Sequence, residues 1–96
     1  MGEEWGTLQT VEEYLRFLQS KGFQFQEDAI GFIYFGKHYT SASDELINTA
    51  IEFTLKAQRT FDGSFYISLL ETFVSNKVKT RKQAFQLVKD RQIIGI

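Results

Sequence analysis

The chain contains no cysteine and no proline. Without cysteine there is no disulfide, no thiolate metal site and no cysteine nucleophile. The same absence fits a reducing cytoplasm. Proline breaks helices and marks turns, so its absence from 96 residues favours an all-helical fold. No run of about 18 apolar residues occurs, so nothing reads as a membrane span. The opening MGEEWG is acidic and lacks the apolar stretch of a signal peptide. Its sixth position is glycine where N-myristoylation asks for serine or threonine.

What is present is globular in composition: 43% hydrophobic and 16% aromatic, with ten phenylalanines. A chain of this length reads as one domain, burying roughly 60–70% of the surface its unfolded form exposes. Residues 1–9 read as a loose leading segment. The closing RQIIGI either packs back on the body or frays.

The net charge of −1 hides a split. Residues 1–75 carry five Lys/Arg against eleven Asp/Glu, a net of −6, whereas residues 76–96 carry six against one, a net of +5. An acidic body with a basic end is the compositional mark of a binding surface.

Periodicity and caps predict five helices. The first runs from about Val11 to Lys21. It opens on a T-x-x-E capping box, Thr10 to Glu13, stops at Gly22, and carries the stripe Val11, Tyr14, Leu15, Leu18. The second covers about Glu27 to Phe35, with Gly36 as its left-handed cap. Phe32, Ile33, Tyr34 and Phe35 are apolar all round, so a buried strand in a hairpin with Phe23 and Phe25 is the alternative. The third runs from about Asp44 to Arg59, capped by Ser43, with Leu46, Ile47, Ala50, Ile51, Thr54 and Leu55 on one face. The fourth runs from about Ser64 or Phe65 to Ser75, with Phe65, Tyr66, Leu69, Leu70 and Phe73 inward. The fifth opens at Thr80, where Thr80 and Gln83 form a T-x-x-Q box, and turns Ala84, Leu87 and Val88 inward.

Several local patterns imitate chemical sites. Gly31 to His38, GFIYFGKH, has the glycine and Gly-Lys frame of a phosphate-cradling P-loop. Four bulky residues fill its middle and His38 stands where Ser or Thr must hold Mg²⁺. A capped core helix followed by a lysine is therefore the reading. His38 is the one histidine in the chain, with no cysteine or second histidine to share a metal and no orienting partner for a base. The pairs Glu12-Glu13, Glu27-Asp28 and Asp44-Glu45 each fall in the first turn of a helix. Negative charge there is stabilised by the helix dipole, by about 0.3–1 kcal/mol, so acid–base catalysis is not required. Asp62-Gly63-Ser64 lacks the G-x-S-x-G frame of a nucleophile elbow and reads as a loop with a helix cap.

The basic end is different. Arg81 and Lys82 lie in the first turn of the last helix, where the dipole disfavours cations. Lys77 and Lys79 crowd the turn before it, and Lys89 and Arg91 follow on the same segment. Unpaired backbone N–H groups at a helix start suit an anion. Four cations there predict contact with phosphate or an acidic partner.

Residues 45–84 also resemble a known family. An I-x-x-A-I helix is matched by Ile47, Ala50 and Ile51. A Y-x-x-x-I-x-x-x-W helix is matched in spacing by Phe65, Leu69 and Phe73. A G-I-K-T turn with an alanine four residues on is matched by Val78, Lys79, Thr80 and Ala84. These are features of the C-terminal helical domain of DnaD and DnaB-type replication-initiation proteins of low-GC Gram-positive bacteria and their phages. Phe65 replaces the tyrosine, Phe73 the tryptophan and Lys77 the glycine, and the winged-helix domain that usually precedes this module is not expected here. The resemblance implies a helical domain that contacts single-stranded DNA and replication partners.

Together these readings predict an all-α, compact single-domain bundle of about five short helices. It is expected to be a non-enzymatic, cytoplasmic interaction module without cofactor or metal. Its expected contacts are single-stranded DNA backbone or a replication protein, through Lys77, Lys79, Arg81, Lys82, Lys89 and Arg91. The alternative is a protein-only adaptor that binds no nucleic acid, a homodimer whose basic end meets the acidic body of a second copy being one form. A small-molecule pocket among the aromatics is a third reading.

Overall fold

The computed structural model describes residues 9–91. The expectations for residues 1–8 and for the tail beyond Arg91 lie outside them. Five helices follow in order: α1 (Val11–Ser20), α2 (Glu27–Thr40), α3 (Asp44–Gln58), α4 (Gly63–Ser75) and α5 (Arg81–Arg91). No strand occurs among the described residues, so the hairpin alternative for 27–35 is not adopted.

Helices α1, α3, α4 and α5 each begin where a side chain satisfies one of the first N–H groups, whereas Gln26 gives α2 no side-chain cap. Thr10 and Glu13 form the reciprocal capping box of α1, at 3.1 and 3.0 Å. Ser43 accepts from Leu46 N–H at 3.2 Å. Asp62 accepts from Phe65 N–H at 3.0 Å, and Thr80 accepts from Gln83 N–H at 3.1 Å. The last box departs from the expected form, because Gln83 Oε1 reaches Lys79 N–H, at 2.8 Å.

The core sits around α3, which packs against all four other helices. Its expected face is buried apart from the half-buried Leu55, and Phe53, Asn48 and Thr49 are buried as well. A helix enclosed on nearly every side carries apolar residues beyond one stripe. The stripe of α1 is buried as the spacing predicts, as are Tyr66, Leu69, Leu70 and Phe73 of α4 and Ala84 and Val88 of α5.

Helix α2 differs from its predicted end. It runs straight through Gly36 to Thr40, and Ser41, with φ 57°, supplies the left-handed cap. Gly36 is a packing residue. A Cβ there would lie 2.8 Å from a ring carbon of Tyr66 and 2.9 Å from its hydroxyl. The bare backbone lets α2 and α4 approach until the Tyr66 hydroxyl donates to the Ile33 carbonyl at 2.8 Å. Burial pushes the Tyr66 phenol well above its ordinary range, because the phenolate would lose its hydration.

Candidate functional site

The P-loop imitation resolves into helix. Gly31 to His38 lies wholly within α2, so no loop remains to wrap a phosphate. The Lys37 ammonium instead reaches across the α2–α3 connection to Asp44, at 2.6 Å. His38 is exposed on the outer side of α2. Among the described residues no three His, Cys, Asp or Glu side chains converge to hold a metal. Nor, among them, is any helix long and apolar enough to cross a membrane.

The acidic pairs all sit in first turns. The third pair does more than face its own dipole. Asp44 Oδ2 accepts from the N–H of Val11, the first residue of α1, at 3.2 Å. Glu45 Oε2 accepts from the N–H of Arg81, the first residue of α5, at 2.8 Å. Two neighbouring carboxylates thus cap two other helices, and three helix starts converge on Ser43–Glu45. The Asp44 carboxyl is held below its usual range, first by the hydrogen bond from Lys37 and further by Val11 N–H and the Lys37 charge, against a smaller opposing effect of burial.

This convergence corrects the expected anion site at the mouth of the last helix. An anion does dock there, and it is the molecule's own Glu45. The Arg81 guanidinium is also engaged, donating to both oxygens of Glu52 at 2.9 and 2.6 Å. Burial alone would raise the Glu52 carboxyl. The bidentate bond and charge of Arg81, with Lys56 at 3.2 Å, outweigh it and hold the group below its ordinary value. Arg81 therefore belongs to the α3–α5 contact. Sequence reasoning missed this because Glu52 lies 29 residues away and no local pattern pairs them.

The remaining cations divide. Lys77 and Lys79 line a cleft of about 370 Å³ between the α2–α3 connection and the α4–α5 turn. Thr40, Ser41, Ala42 and Ser43 form one wall, and Leu46, Val74 and Val78 contribute apolar surface. The turn itself is a Schellman motif: Lys77 N–H donates to Val74 at 3.0 Å and Val78 N–H to Phe73 at 2.9 Å. The motif places Lys77 in the left-handed region, φ 59°, where glycine is the unstrained residue. Ser41 holds the same conformation on the opposite wall. Lys82 and Lys89 are exposed, two turns apart on α5, with the exposed Phe85 between them in sequence. Arg91 donates to Asn76 Oδ1 at 2.9 Å. Among the described residues no carboxylate forms an ion pair with Lys77, Lys79, Lys82 or Lys89.

Fold and surface together define a small all-α bundle with a lysine-edged cleft beside the start of its most enclosed helix. The chain belongs to DUF6123, a family of unknown function, which it matches over residues 7–94. No curated protein and no solved structure matches it.

Membership of this family overturns the DnaD-type resemblance. The positions that carried it have a simpler explanation. Ile47, Ala50, Ile51, Leu69, Phe73, Val78 and Ala84 are all buried, and Thr80 is a helix cap. Apolar residues at those intervals, ended by a cap, are what any short helical bundle needs for its core.

Proposed function

We propose that this chain is a non-enzymatic interaction module that takes an acidic segment of a partner protein into the cleft edged by Lys77 and Lys79. The observation that carries the reading is the cleft's composition. It combines two lysines without ion pairs among the described residues, a hydroxyl wall and an apolar floor. A carboxylate next to an apolar side chain matches that mixture. A uniformly charged phosphate backbone leaves the apolar floor unused. The left-handed Lys77 supports the same reading, since strained non-glycine residues gather where function requires a side chain.

The test is a titration with a labelled peptide of alternating glutamate and leucine. Binding is expected at low salt and weakens as ionic strength screens the lysines. It is lost in Lys77→Glu/Lys79→Glu and kept in Lys82→Glu/Lys89→Glu. Lys77→Gly is expected to raise folding stability by about 1 kcal/mol while weakening binding. No binding at low salt, or binding indifferent to Lys77→Glu/Lys79→Glu, rejects the reading.

A second reading rests on Phe85 between Lys82 and Lys89. An exposed aromatic among cations suits single-stranded nucleic acid through stacking and counterion release. An oligothymidylate that binds at low salt and is released by Lys82→Glu/Lys89→Glu selects this reading over the first.

A further inference from the structure

Helix α2 presents an apolar face that nothing within the described residues covers. Phe32, Phe35 and Tyr39 recur at helical spacing and are 42%, 56% and 61% exposed. Phe35 and Tyr39 stack at 5.4 Å with their planes 9° apart. The ring of Phe32 is braced from behind by the start of α4, so close that a Cβ on Gly63 would come within 2.6 Å of it. These rings form a supported surface.

Gly31 lies among them and has no explanation among the described residues. A glycine inside a helix is destabilising relative to alanine. Gly36, on the inner side, is explained by Tyr66. At Gly31 an added Cβ would meet no described residue within 4 Å, and its φ is not in the left-handed region. The missing side chain leaves an apolar notch of about 390 Å³ bounded by Asp28, Phe32 and Phe35. A close approach by another molecule is the steric reason that the described residues do not supply.

We propose that α2 pairs antiparallel with α2 of a second copy about a two-fold axis, each Phe35 filling the notch over the other copy's Gly31. A two-fold pairing is self-complementary, so residue i meets j and j meets i. The register that sets 31 against 35 also sets 28 against 38, both pairs being symmetric about position 33. Asp28, an exposed carboxylate, then meets His38, an exposed imidazole, at both ends of the contact. Glu27 falls opposite Tyr39 in the same register, within reach of the phenol as a hydrogen-bond donor. One register therefore satisfies the notch, the rings and both polar ends. The contact uses few residues per copy, well under a standard interface, so the dimer is weak and depends on concentration. This surface is separate from the Lys77–Lys79 cleft and stands or falls independently of it.

The test is sedimentation velocity on the full chain from about 5 to 500 μM. A shift from monomer to dimer across that range is expected. Phe35→Glu should abolish the shift while leaving the circular dichroism spectrum unchanged, since that ring is exposed. Gly31→Ala separates folding from pairing: it should raise the melting temperature of dilute protein by a few degrees yet weaken dimerisation tenfold or more. Asp28→Arg should weaken dimerisation, and Asp28→Arg/His38→Asp should restore it, because the swap re-forms the pair only across copies. A chain that stays monomeric at 500 μM overturns the proposal. So does a dimer that survives Phe35→Glu or tightens with Gly31→Ala. Dissociation by Lys77→Glu/Lys79→Glu with indifference to Phe35→Glu overturns it too, and points to a charge-driven contact.

Discussion

Replacing Arg81 by methionine discriminates most sharply between a structural and a binding role for the start of α5. Methionine retains much of the apolar stem and removes the guanidinium. Glu52, whose side chain is 11% exposed, then loses both bonds to its partner, itself 24% exposed. Breaking a buried pair from one side costs about 3–5 kcal/mol. Lys56, at 3.2 Å, remains to share the charge, and its own half-exposed position keeps its contribution modest. The expected loss is therefore about 2–3 kcal/mol, or roughly 10–20 °C in melting temperature for a domain of this size. Urea denaturation of the wild type, Arg81→Met, Glu52→Leu and the double variant measures it as a cycle. The double variant should recover at least half of the single loss, because no buried charge is then left unpaired. Lys82→Met is the neighbouring control and should stay within about 0.5 kcal/mol of wild type. An Arg81→Met protein as stable as the control, or a coupling energy near zero, would refute the account of Arg81 as an internal partner.

Gly36→Ala should destabilise by about 1–3 kcal/mol despite alanine's better helix propensity, because Tyr66 and Leu70 sit within 2.8 to 3.0 Å of the new methyl. Chemical denaturation checks it, and a neutral or stabilising result contradicts the close α2–α4 approach. Acid stability follows from Glu52 and Asp44, both held below their ordinary values in the folded state. Groups shifted downward stabilise fully above the unfolded carboxylate values of about 4, and that stabilisation is lost as pH falls through the lower folded values. The urea midpoint should hold from pH 7 to about 5 and fall steadily below about 4. Glu52→Gln should flatten that fall, and an unchanged acid slope in this variant would show that Glu52 does not contribute to it.

The helices and most of the faces they bury are legible along the chain. The capping box at Thr10, the caps at Ser43 and Asp62 and the stripe Val11, Tyr14, Leu15, Leu18 are set by residues within a turn or two of each other. Caps and periodicity are local physics, so they can be read along the chain. The end of α2 was misread because glycine both terminates helices and permits close packing, and only Tyr66, thirty residues on, decides between the two at Gly36. The basic end was legible as charge, and its division was not. Tertiary structure alone brings Glu45 and Glu52 to Arg81, across 36 and 29 residues, while Lys77 and Lys79 are left at the edge of a cleft. Coulomb energy depends on distance and burial, and neither is written in the order of residues. The same folding turns Gly36 inward against a tyrosine and Gly31 outward against none of the described residues. Two glycines five positions apart thus hold opposite roles for a reason that exists only in three dimensions.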